Sequence, residues 1–149
     1  MLFLIIFPVR RAVIIVNIVN ACIVGMGLMG TLATKNYAQN AVYDDDETMA
    51  AFEEFANAPI GLAVGIMSAQ IVASLCGIAG GVKFNPHLTA LAAVAYAIVL
   101  VVGLLSLNIG SIVYQGCFLY PHVVFIHEIR KGIMNEANYP NEKQSCCCV

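Results

Sequence analysis

The chain has 149 residues, a length that fits one domain. Of these, 60% are hydrophobic and only 11% charged, with a mean hydropathy of +0.85; an ordinary soluble domain carries about 25% charged residues and could not hide so much apolar surface from water. A net charge of -2, with only seven Lys and Arg, excludes nucleic acid as a partner, because phosphate binding needs clustered cations.

In chain order, "MLFLIIF" before Pro8 is too short to cross a bilayer, and it is expected in the interface or against the other helices. The first uncharged apolar stretch runs over residues 12–32, long enough for the roughly 20 residues that a span needs. Arg10 and Arg11 ahead of it, with the small residues Thr31 to Ala33 behind, share the layout of a secretory signal peptide. The apolar run exceeds the roughly 7–15 residues of such a peptide, so an uncleaved signal anchor is expected. Within it "GMGLMG", Gly25 to Gly30, matches the dinucleotide-binding glycine pattern. That pattern needs a strand before it and a helix after it, and inside a membrane-length apolar run these glycines read as packing or bending residues.

Residues 33–57 form the one substantial loop, holding six of the nine acids: Asp44, Asp45, Asp46, Glu47, Glu53 and Glu54. The aspartates would sit at the N-terminus of a short helix, where carboxylates meet unpaired N–H groups and the positive end of the dipole. Met49, Phe52 and Phe55 would then line one apolar face. The spaced carboxylates of a calcium loop are missing, so a solvated acidic surface is expected there. The loop also lacks cysteine and a glycosylation sequon, and the chain has no tryptophan, so nothing ties it to a particular tetraspan family.

Two further uncharged stretches follow, over residues 58–82 and 88–107. A fourth, over 111–127, is shorter and carries Gln115, Pro121, His122 and His127; it spans, or it lies re-entrant or interfacial. Charge placement decides for a span. Lys and Arg collect in short cytoplasmic loops, and four spans put Arg10, Arg11, Lys83, Arg130, Lys131 and Lys143 together on that side, leaving Lys35 outside. The expected fold is therefore an all-α, four-helix membrane bundle over residues 1–149, with both termini cytoplasmic and a cytoplasmic tail over 128–149.

In lipid, helices associate through close packing of small residues and through interhelical hydrogen bonds. Gly61, Gly65, Ala69, Ala73, Gly77 and Gly81 recur every four residues along the second span, marking it as the centre of the bundle. Four residues turn a helix by about 400°, so this stripe drifts by roughly 40° per step, and one straight partner cannot follow all of it. Asn17, Ala21 and Gly25, and Thr89, Ala93 and Ala97, offer shorter stripes on the first and third spans. Asn17, Asn20 and Gln70 are uncharged intramembrane amides that would bond between helices or, in an oligomer, line a polar pathway.

For chemistry, the candidates are Cys117, His122, His127 and Glu128. His122 and His127 lie about 140° apart on a helix and converge only if Pro121 distorts it, so local hydrogen bonds are expected in place of a metal site. No catalytic group, metal or cofactor is expected. In the tail, Cys146, Cys147 and Cys148 would lie in a reducing compartment, where structural disulfides are rare. A polar tail of roughly 16 residues spans about 20–24 Å as a coil, short enough to fold back to the bilayer. These thiols are therefore candidates for S-palmitoylation; "CCCV" fits the prenylation pattern only atypically, and exposed or metal-binding thiols are the bland alternative.

Together these features point to a non-enzymatic membrane protein, a lipoprotein that organises, sorts or shapes membrane. The alternative is a small oligomeric channel or transporter. Expected partners are membrane lipids and further copies of the chain or other membrane proteins.

Overall fold

The computed structural model describes residues 9–40 and 60–137. The acidic-loop helix and the tail cysteines Cys146, Cys147 and Cys148 lie outside them. The described residues form four helices, α1 (Val9–Asn40), α2 (Ile60–Lys83), α3 (Pro86–Leu105) and α4 (Ile109–Arg130), and no strand. All four are long and apolar enough to cross a membrane, including the fourth, which continues through Pro121 as one 22-residue helix. At 32 residues, α1 is about 48 Å long, well beyond a hydrocarbon core of about 30 Å, so it either tilts or projects beyond it.

The helices form a closed square: α1 packs on α2 and α4, and α3 packs on α2 and α4. Only 22–28% of each span's most apolar stretch is buried in the chain. Large side chains such as Ile98, Val102 and Leu105 face outward, an arrangement that water would penalise and hydrocarbon accepts.

One turn design is used at both described helix hairpins. After α2, Phe84 takes the left-handed conformation (φ 51°) and the Asn85 N–H bonds the Gly80 carbonyl at 3.0 Å, closing the helix as a Schellman motif. Asn85 then caps α3, accepting from the N–H groups of His87 (2.9 Å) and Leu88 (3.3 Å), with Pro86 supplying a preset first helical residue. After α3, Leu107 (φ 51°) and Asn108 repeat the pattern: Asn108 N–H to Gly103 at 2.9 Å, and Asn108 Oδ1 capping Ser111 N–H at 3.0 Å. Such tight hairpins need a glycine where the helices meet. A Cβ on Gly80 would come within 2.7 Å of the Thr89 nitrogen, and one on Gly103 within 2.9 Å of Ser111 Oγ.

The apolar core sits at one end of the square. Val9, Val13, Phe125 and Met134 are buried together, with Phe84, Val124 and Ile129 against them. Arg10 ties α1 to α2 there: its Nε donates to the Gly81 carbonyl at 2.9 Å, and its guanidinium lies 4.7 Å from the centroid of the Phe84 ring. The other cations of this end are Arg11, Lys83, Arg130 and Lys131, which make it the basic end of the bundle.

The small-residue stripe of α2 divides at its middle. Ala73, Gly77 and Gly81 are buried, and the missing side chains of Gly77 and Gly81 admit Asn17 and Ile14 of α1. Gly61 and Gly65 are exposed, with nothing among the described residues within 4 Å of where a Cβ would stand, and Ala69 is exposed as well. The drift along the helix accounts for the division, since the four steps from Gly77 to Gly61 rotate the stripe by about 160°.

Candidate functional site

Above the apolar core, polar side chains from all four helices meet in one hydrogen-bonded chain. Asn17 is its hub. The Asn17 Nδ2 group donates to the Val13 carbonyl of its own helix and to His122 Nε2 on α4, both at 2.7 Å. The Asn17 Oδ1 atom accepts the Tyr96 hydroxyl of α3 at 2.9 Å. Tyr96 meets Ser74 of α2 at 3.3 Å, and Ser74 Oγ also bonds the Gln70 carbonyl at 2.9 Å. Ser74 Oγ in turn accepts Asn20 Nδ2 at 2.8 Å, and Asn20 Oδ1 accepts the Tyr114 hydroxyl at 3.2 Å.

The partners fix the imidazole. His122 Nδ1 lies 2.7 Å from the Phe118 carbonyl, which can only accept, so Nδ1 carries the proton. Nε2 is then a lone pair facing an Asn17 N–H, and both ring nitrogens of a neutral histidine are satisfied. Pro121 leaves the Cys117 carbonyl without its helical N–H and crowds the preceding turn, and the His122 side chain adds a bond to the neighbouring Phe118 carbonyl.

Aromatic rings wrap the polar chain. Tyr96 packs on His122 (centroids 5.1 Å apart) and on Phe118 (5.8 Å), and Phe118 stacks on Tyr114 at 4.2 Å. Asn17, Asn20, Ser74 and His122 have no exposed surface. Buried polar groups that are fully bonded are inexpensive, whereas each left unpaired costs about 1–3 kcal/mol. The arrangement therefore locks four helices in register. It contains no ionised side chain and no nucleophile activated by a base.

The sequence-derived candidates separate clearly. Asn17 and Asn20 both bond between helices, while the Gln70 amide joins none of the interhelical bonds among the described residues; Gln70 contributes only its backbone carbonyl. His122 is buried and bonded, whereas His127 and Cys117 are exposed and Glu128 lies buried at the basic end, so these four do not converge. No group of three or more metal-ligating side chains occurs among the described residues. Cys22, Cys76 and Cys117 are free thiols. The glycines of "GMGLMG" lie in mid-helix on α1, away from any strand-to-helix turn.

Ser74, Tyr96 and Tyr114 were not singled out by sequence reasoning. A signal for them existed: each is a hydroxyl inside an apolar span, and a hydroxyl in hydrocarbon must find a partner. Gln115 is the exception to the bonded pattern, because its buried Oε1 meets no partner among the described residues. No family model, no curated protein and no solved structure matches this chain.

Proposed function

We propose that this multi-pass membrane protein is non-enzymatic and organises, sorts or shapes membrane through helix contacts with neighbouring proteins or further copies of itself. An acylated tail at Cys146, Cys147 and Cys148 would tune where it does so. The observation that carries this reading is the bonded chain around Asn17. Two of the three amides that could line a polar pathway, Asn17 and Asn20, have no exposed surface, and the Asn17 donors are consumed within the bundle. Polar contacts inside one protomer hold a scaffold together, while the glycine-bearing face of Gly61 and Gly65 stays open on the outside. The cations gathered at one end favour a cytoplasmic location for that end, and with it for both termini.

The channel alternative is tested directly by reconstituting the protein in liposomes and measuring ion and neutral-solute flux. The organising reading expects no flux above that of protein-free vesicles. A conductance abolished by Asn17→Ala or Asn20→Ala in a protein that still folds would sink it. Acylation is read by hydroxylamine-sensitive thioester labelling in cells, which should vanish when Cys146, Cys147 and Cys148 are all changed to Ser.

A further inference from the structure

The geometry points to an anionic-lipid surface at the basic end, formed by Arg11, Lys83, Arg130 and Lys131 around a corner that Arg10 holds in place. These residues come from three helices, and packing brings them together. Lys83 precedes Phe84, whose ring lies 6.4 Å from that of Phe125. Arg11 lies between Val9 and the buried Ala12 and Val13, while Arg130 and Lys131 lie between Ile129 and Met134. All four cations therefore stand within a turn or so of the same apolar cluster.

Their roles differ. Arg10 is half-buried and spent on the corner, through Gly81 and the Phe84 ring. Arg11, Lys83, Arg130 and Lys131 are exposed. Against the five cations of this end stand two acids among the described residues, Glu128 and Glu136, so the charge there is 5 − 2 = +3. Glu128 is buried, and its carbonyl accepts the N–H groups of Ile133 and Met134 that end α4. At the opposite end of the bundle, Lys35 is the one charged side chain among the described residues.

Charge complementarity selects the occupant. The surface lies at the end of four apolar spans, at the depth of phospholipid headgroups, and each Lys or Arg near a membrane surface contributes about a fivefold gain in affinity for anionic lipid. A phosphate would sit beside the last turns of α2 and α4. Their carbonyl ends repel an anion, so beside these two helices the side chains supply the attraction. The ligand class is a phospholipid carrying net negative charge. The inference stands apart from the organising role, since lipid retention is read on isolated protein and flux on vesicles.

The test uses the full chain reconstituted in nanodiscs of mixed phosphatidylserine and phosphatidylcholine, then released into detergent for native mass spectrometry of the lipids it retains. Wild type is expected to enrich phosphatidylserine over phosphatidylcholine. Lys83→Gln, Arg130→Gln and Lys131→Gln combined should lower that enrichment by about fivefold per charge removed, up to its complete loss. The charge-keeping combination of Lys83→Arg, Arg130→Lys and Lys131→Arg should preserve it, as should Lys35→Gln. Equal retention of both lipids by wild type overturns the inference, and so does an equal loss in the Lys35→Gln control. Displacement by inorganic phosphate at matched ionic strength would assign the surface to a free anion and overturn it as well.

Discussion

The two halves of this bundle are built from the same materials and put together differently. In the half toward the basic end, Gly77 and Gly81 bring α2 close against α1, Ala73 is buried, and Asn17, Asn20, Ser74, Tyr96, Tyr114 and His122 bond across all four helices. In the other half, Gly61 and Gly65 continue the same four-residue spacing, yet their surfaces are open, and Met26 and Met29 of α1 are 68% and 69% exposed. The difference teaches that a small-residue repeat makes contact possible without securing it. In lipid, apolar side chains gain little by leaving the tails, so a helix pair stays closed where polar groups need each other.

The largest effect expected from this contrast is at glycine. In Gly77→Ala the new methyl would overlap the Asn17 amide, which three hydrogen bonds hold in place; a loss of about 3 kcal/mol is expected from overpacking and broken bonds together. Gly65→Ala meets open space and should change the fold's stability by less than about 0.5 kcal/mol. Reversible unfolding of both variants in mixed micelles compares them, and equal costs would break the distinction between the halves.

Next comes the polar chain itself. Asn17→Ala strands the His122 Nε2 lone pair, leaves the Tyr96 hydroxyl only Ser74, and should cost about 2 kcal/mol, whereas Gln70→Ala, outside the interhelical bonds, should be close to neutral. A double-mutant cycle of Asn17→Ala with His122→Ala, read by the same unfolding assay, should show strong coupling; additive losses would mean that the bond contributes nothing.

The smallest effects separate the two turns. Leu107 and Phe84 share a left-handed backbone that disfavours any side chain by roughly 1 kcal/mol. Leu107 is 83% exposed, so Leu107→Gly relieves strain at little loss and should be neutral or slightly stabilising. Phe84→Gly relieves the same strain but removes the ring that packs on Arg10 and Phe125, and it should destabilise by about 1 kcal/mol. The sign difference, measured as a shift in unfolding midpoint, sharpens the case that the basic-end turn carries tertiary structure and the other only closes a hairpin.

Much of the architecture was legible from residues alone, and for a definite reason. Hydrocarbon demands long uncharged stretches, so the helices of an all-α bundle stand out in hydropathy, and the position of Lys and Arg argued for the fourth helix where its hydropathy was weak. Asn17 and Asn20 were recognisable because an amide inside a span needs a bonded partner. Which side chains they would bond was not legible, because Ser74, Tyr96, Tyr114 and His122 lie 54 to 105 residues away along the chain from the amides they bond.

The sequence by itself determined the four membrane-length helices of the described residues, where each apolar stretch falls, and which end of the bundle is positive, since these depend on composition within short windows. Only the tertiary structure decided which half of the α2 stripe is used, which amide is the hub, and which cations share a surface. Those outcomes depend on helix rotation and on the pairing of distant side chains. A four-residue spacing drifting about 40° at every step cannot announce where along its length a partner helix will meet it.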